Sequence, residues 1–149
     1  MGFLPWLDDP VQTVSVSQDF TLPVDRVFAY LSEHEHLGPL FGGKITRVRD
    51  GDSSRNGVGS VRSLHIGPGP ALQETITEVI PDELIRYRIT KGSPLRDHEG
   101  VMRFASTPTG SRLDYVITFR AVVPGLGPVV AMGLRRNISR GLRTVDGKA

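Results

Sequence analysis

The stretch from Gly125 to Val145 constrains this chain most. Ala131, Leu134, Ile138, Leu142 and Val145 recur at spacings of three and four, which marks one face of a helix with 3.6 residues per turn. Arg136, Arg140 and Arg143 fall on the opposite face and are expected in solvent. Gly125-Leu126-Gly127-Pro128 marks the entry, because proline is tolerated in a helix's first turn. Gly133 and Gly141 each cost about 1 kcal/mol against alanine inside a helix. They are therefore expected where a sheet or a ligand passes close to the backbone. A helix with a single apolar stripe is stabilised mainly by what it packs against, so the rest of the chain must supply a surface.

That surface reads as a sheet. Val11 to Thr21 alternates through Val14, Val16 and Phe20, as a first strand would. Leu22 to Ser32 reads as a short helix, with Thr21 or Leu22 in the cap region and Pro23 near the first turn. Val24, Val27, Phe28 and Leu31 form its apolar face. Glu33 to Phe41 continues as a second short helical piece, broken by Gly38-Pro39 and Gly42-Gly43. From residue 44 the period changes to two. Strands are expected at 44–50, with Ile45 and Val48 inward, and at 59–66, 71–80, 84–90, 98–106 and 111–121. Loops rich in Gly, Pro, Asp and Ser separate them at 50–57, 67–70, 81–83, 91–97 and 107–110. One strand, two short helices, about six hairpin-linked strands and a long terminal helix describe an α+β chain with helices on one face of an antiparallel sheet.

Composition narrows the classes of function. A chain of 149 residues fits one domain: residues 1–10 read as an N-terminal tail carrying Phe3, Leu4, Trp6 and Leu7, and 11–149 as the domain. There is no cysteine, hence no disulfide framework, thiol nucleophile or cysteine-bound metal. No run approaches the roughly 18 apolar residues of a membrane span. The first ten residues lack a basic region followed by a long apolar core, so no signal peptide is expected and the default location is cytoplasmic. The formal charge is +2, with arginines interleaved with acids from Arg26 to Arg143. Nucleic-acid binders concentrate cations on one face, so nucleic acid is not an expected partner. There is no Gly-x-Ser-x-Gly elbow. Gly57-Val58-Gly59 lacks the Lys-Ser/Thr of a phosphate loop, and no cofactor motif is present. His34 and His36 would point about 200° apart on a helix, with no third ligand at a useful spacing, so no metal site is expected.

Several stretches together resemble the START-like superfamily, also called SRPBCC or helix-grip proteins, and within it the polyketide cyclase/dehydrase branch. They are Phe20 to Leu31, Gly57 to Arg62, Gln73 to Pro81, Leu84 to Ile89 and the hairpin around Gly110-Ser111-Arg112-Leu113. The resemblance covers about residues 11–145. It implies a curved antiparallel sheet of about seven strands gripping the C-terminal helix, with a cavity between them. Members bind lipids, sterols, polyketides, quinones or hormones, some catalyse cyclisation or dehydration, and some act as co-chaperones. The fold therefore constrains shape more than activity. This chain departs from the pattern at Ala71-Leu72-Gln73, where an aromatic usually precedes the buried acid, so a different cavity mouth is expected.

Alternation places polar residues inside that cavity. Leu113, Tyr115, Ile117 and Phe119 share the inward face of their strand. Gly100, Met102 and Phe104 bring His98 with them, Ile85 and Ile89 bring Tyr87, and Ile76 brings Glu74. Pairing Ile66 with Ala71 sets Ser63 opposite Glu74 and His65 on the same face. A slip of one residue would put Arg62 and Leu64 there instead. A carboxylate in an apolar cavity must pair, accept hydrogen bonds or bind a proton. Glu74 is thus either a general acid/base or ligand anchor, or a structural acid tied to Ser63, Arg62 or water. His65 and His98 are candidate proton relays. Ser63, Glu74, Tyr87, His98, Met102, Phe104, Tyr115 and Ile117 from the sheet, with Leu134 and Ile138 from the helix, are the candidate ligand contacts.

Three functions remain open. One is binding of a hydrophobic small molecule. The second is a cyclase/dehydratase in which Glu74, with His65 or His98, moves a proton alpha to a carbonyl. The third is an interaction module, in which the tail or the sheet's outer face binds a partner or a second copy to give a homodimer.

Overall fold

The computed structural model describes residues 10–65 and 70–149. Residues 1–9 of the N-terminal tail, the Ile66–Ala71 pairing and the turn at Gly67 to Gly69 lie outside the described residues. The elements run β1 (Gln12–Phe20), α1 (Val24–Ser32), a 3-10 turn (His34–His36), α2 (Gly38–Phe41), β2 (Lys44–Arg49), β3 (Val61–His65), β4 (Leu72–Ile80), β5 (Leu84–Lys91), β6 (Leu95–Thr107), β7 (Gly110–Ala121), α3 (Leu126–Leu142) and α4 (Val145–Lys148). The strands form one antiparallel sheet in the order β1-β7-β6-β5-β4-β3-β2, curved around α3 as the sequence anticipates. Only β1 leaves its chain neighbours: it pairs with β7 from Gln12–Phe119 to Phe20–Ser111. No described helix is long and apolar enough to cross a membrane.

The terminal helix packs across β1 and α2. Ala131, Ile138, Leu142 and Val145 are buried, Leu134 is half-buried, and Arg136, Arg140 and Arg143 face solvent. The helix is shorter than the apolar stripe: α3 ends at Leu142, and Val145 opens α4. The two glycines part company. An added Cβ on Gly141 would sit 3.0 Å from the Leu40 backbone nitrogen, so α2 crosses α3 at that point. Around Gly133 there is open space, and close approach does not explain that glycine. The short α4 closes the fold. The Asp146 carboxylate accepts the Thr21 N–H at 3.0 Å, and the Ala149 carbonyl accepts from the Arg26 guanidinium at 2.9 Å.

Several boundaries differ from the sequence reading. Pro23, rather than Thr21 or Leu22, caps α1, since its fixed φ and missing N–H suit an extended residue preceding a helix. Gly38-Pro39 begins α2 instead of breaking the helical segment, and the left-handed Gly42 ends it. Val48 is exposed. A bulge between Arg47 and Arg49 makes it the extra residue on β2, and a bulge breaks the two-residue period. The loop expected at 91–97 is shorter because β6 starts at Leu95, pairing Leu95 with Ala121. A second irregularity, at Asp97 with φ 51°, hides that start from the alternation.

Candidate functional site

A cavity of about 400 Å3 opens between the sheet and α3. Each wall follows from the pleat. Leu64 of β3, Leu72 and Glu74 of β4, and Ile89 of β5 point to one face. His98 of β6, Ile117 of β7, and Val130 and Leu134 of α3 close over them. Phe41 of α2, with Pro70, Gly92, Ser93, Pro94 and Leu95, completes the lining. Among these lining groups Glu74 and His98 carry the ionisable chemistry. A volume near the lower end of small-molecule sites, with mostly apolar walls and a few polar groups, suits a ligand of modest size.

The register between β3 and β4 decides what faces Glu74. The structure pairs Arg62 with Glu74, Ser63 with Gln73 and Leu64 with Leu72. The strands therefore adopt the alternative that is one residue out of step with the Ile66–Ala71 pairing. Ser63 is half-buried outside the cavity lining and His65 is exposed, so neither stands beside Glu74 as the first register required. The physical reason is charge. The shift sets a cation opposite an inward acid, whereas the other register leaves Glu74 against a hydroxyl and turns Arg62 away.

Arg62 Nε donates to Glu74 Oε1 at 2.8 Å, and the two side chains are only 3% and 4% exposed. The Arg62 guanidinium carbon stands 4.6 Å from the centre of the Tyr87 ring and 5.8 Å from that of Phe41. Its charge is thus spread over two aromatic faces as well as the acid. Burial pushes the Glu74 carboxyl above the ordinary glutamate range, and the Arg62 charge and hydrogen bond oppose that rise. Because guanidinium stays charged in proteins, the carboxylate is the form that leaves the buried pair neutral.

His98 completes the group. Its Nδ1 lies 3.0 Å from the Ile89 backbone nitrogen. A backbone N–H can only donate, so Nδ1 accepts and the proton of the neutral ring sits on Nε2. Burial, then the charges of Arg62 and Arg88, push the imidazole down to about 4, which keeps it neutral near pH 7. Nε2 stands 3.9 Å from Glu74 Oε2, too far for a direct hydrogen bond. Among the described residues Arg62 Nη2 is buried without a hydrogen-bond partner.

The remaining candidates are core rather than cavity wall. Tyr87 and Tyr115 bring their hydroxyls into contact, and burial holds both phenols above their ordinary value. Tyr87 lies across Gly100, where an added Cβ would collide with the ring. Met102 and Phe104 are buried nearer the α1 end of the sheet, with Phe104 meeting Phe28 edge-on at 5.1 Å. Ile138 is fully buried but outside the lining. Of the ten candidate contacts, Glu74, His98, Ile117 and Leu134 line the cavity. His34 and His36 do not share a site: His34 is buried against the Ser60 hydroxyl at 3.2 Å, and His36 stacks on Tyr30 at 4.0 Å.

Sequence reasoning passed over Phe41, Ile89, Pro94, Leu95 and Val130, which line the cavity. Ile89 follows from the same alternation that placed Tyr87. Val130 lies one residue before Ala131, at the flank of the stripe.

Comparison with solved structures gives the same fold. Norcoclaurine synthase from Thalictrum flavum superposes with a TM-score of 0.71 at 13% identity, covering 95% of this chain and 96% of that one. The Zhui aromatase/cyclase from Streptomyces sp. R1128 superposes with a TM-score of 0.72 at 18% identity, covering 93% of each chain. At such identities the likeness establishes architecture alone. A comparison with curated protein sequences finds no match. The model of one sequence family, however, aligns from residue 11 to residue 148, and with nearly the whole chain so matched the protein belongs to the polyketide cyclase/dehydrase and lipid transport family.

Proposed function

We propose that residues 11–149 form one domain that binds an apolar small molecule in the cavity between the sheet and α3. The observation that carries this reading is the cavity of about 400 Å3 whose apolar walls enclose a single carboxylate. Affinity would come mainly from burying the ligand's apolar surface, at about 25 cal/mol per Å2 before ordering costs. Glu74 and His98 would fix orientation. The family's description, which joins cyclisation with lipid transport, supports a hydrophobic ligand without choosing one.

The test is thermal unfolding and native mass spectrometry against fatty acids, sterols, quinones and fused-ring aromatics. A ligand at a hundred times its Kd should stabilise the fold by about 3 kcal/mol, which raises the Tm by several degrees in a chain of this size. Leu134→Trp, which fills the cavity from α3, should abolish that shift. No stabilisation by any of these classes would overturn the reading.

Catalysis is the second reading, favoured by one detail. Glu74 Oε2 is not taken by Arg62, and a neutral N–H stands 3.9 Å away. A base and a hydrogen-bond donor side by side could take a proton alpha to a carbonyl and steady the resulting enolate. Burial raises the basicity of Glu74, but the Arg62 charge and hydrogen bond oppose that rise, which ranks this reading below binding. Turnover of a polyketide-like substrate that is lost in Glu74→Gln would raise it.

A further inference from the structure

The polar end of the cavity specifies the ligand's buried group more narrowly than its apolar walls do. Glu74 Oε2 can only accept a hydrogen bond while the carboxylate is ionised, and Oε1 is already held by Arg62. His98 Nε2 can only donate, because the Ile89 N–H fixes Nδ1 as the acceptor. The two atoms are 3.9 Å apart. A single oxygen at about 2.7–2.9 Å from each would subtend roughly a right angle between them, well within what a hydroxyl tolerates. We propose that this site selects a ligand whose buried end is a hydroxyl, an alcohol, phenol or enol, that donates to Glu74 Oε2 and accepts from His98 Nε2.

The alternatives fit less well on elementary grounds. A ketone or ether oxygen accepts from His98 but cannot donate, so it would lie against the carboxylate oxygen with lone pairs opposed. An ammonium group donates to Glu74 but meets the Nε2–H of His98 and the guanidinium of Arg62 with like polarity. A carboxylate would bring a second negative charge beside Glu74. A hydroxyl alone is both donor and acceptor at one atom. The neutral state of His98 near pH 7 preserves this pattern, since the lone pair on Nδ1 stays available to Ile89. The inference rests on the binding function proposed above.

Three probes of similar bulk separate the two claims on the unmodified protein: a naphthol, its methyl ether and an acetylnaphthalene, titrated by calorimetry or intrinsic fluorescence. A hydrogen bond to a charged group should favour the naphthol over both others by about tenfold to a hundredfold. His98→Phe should narrow that ratio by removing the donor, and Glu74→Gln should narrow it by removing the charged acceptor. Ether or ketone binding as tightly as the naphthol would overturn the hydroxyl assignment while leaving the cavity a binding site. A preference that persists in both variants would also overturn it. Failure of all three probes, and of the larger hydrophobic ligands, would remove the binding function and this inference with it.

Discussion

Removing Arg62 should expose what it does for Glu74, and the size of the effect should depend on pH. In Arg62→Met the side chain keeps most of its apolar reach, but Glu74, 4% exposed, loses the guanidinium that bonds it at 2.8 Å. Breaking a buried ion pair by deleting one member typically costs about 3–5 kcal/mol. Here a ceiling applies, because the carboxylate can escape its unpaired charge by taking a proton. At pH 7 that protonation costs about 3 kcal/mol for a group that ordinarily titrates at 4.5. The folded variant then binds one more proton than its unfolded chain, so its stability falls as pH rises through the range between the unfolded and folded pKa values. Relative to the parent at the same pH, the variant should be destabilised by about 3 kcal/mol at pH 7 and by less than about 1 kcal/mol at pH 5. Urea unfolding at a series of pH values measures both. The double variant Arg62→Met/Glu74→Leu should recover most of the loss at pH 7, since apolar replacement of a buried pair is often neutral or stabilising. A penalty that is unchanged between pH 7 and pH 5, or a double variant no more stable than the single one, would refute the reasoning.

The parent should itself lose stability in mild acid. His98 and His34 are held at about 4 and about 3 by burial and then by the Arg62 charge, so the unfolded chain gains protons first as pH falls below 6.5. Each should remove about 2 kcal/mol between pH 7 and pH 5. The raised Glu74 offsets part of this loss, and a flat urea midpoint across that range would contradict the burial of both rings. Along α3 the two glycines should respond with opposite sign. Gly133→Ala, in open space, should stabilise by about 1 kcal/mol, whereas Gly141→Ala, 3.0 Å from the Leu40 backbone, should destabilise by about 1–3 kcal/mol, and equal effects in chemical unfolding would argue against the α2–α3 crossing. Gly100→Ala should push the Tyr87 ring aside and cost more than about 2 kcal/mol, so a thermal midpoint matching the parent's would mean that the ring does not lie across that backbone.

Much of the architecture was legible because it rests on long, regular periods. The stripe from Ala131 to Val145 identified the gripped helix, and Leu113, Tyr115, Ile117 and Phe119 marked the inward face of β7. What was hidden lay where a period breaks. Val48 sits on a bulge, and the start of β6 is masked by the irregularity at Asp97. The register of β3 is a different case. Val61-Arg62-Ser63-Leu64-His65 has one aliphatic position among the inward pair and one among the outward three, so the apolar pattern weighs the two registers almost equally. A further signal was available in the sequence. Arg62 is the only cation on β3 fixed in charge at neutral pH, and Glu74 is the inward acid on β4. Opposite charges across a ladder favour their own register.

That register also sets up an ion pair whose bonding argues for a role besides stability. Two apolar residues at Arg62 and Glu74 would fill the same space without desolvating charges. A structural pair would be expected to satisfy itself, with both carboxylate oxygens and the guanidinium edge engaged. This pair does not: Oε1 is bonded at 2.8 Å, Oε2 stands 3.9 Å from His98 Nε2, and among the described residues Arg62 Nη2 is buried without a partner. Oε2 and the His98 N–H belong to side chains that line one cavity. An incoming molecule in that cavity can bond to both. The double variant Arg62→Met/Glu74→Leu separates the two purposes. If the pair serves recognition, the variant should match or exceed the parent in urea yet lose its preference for a naphthol over the methyl ether. If it serves the fold, stability should fall while the preference remains.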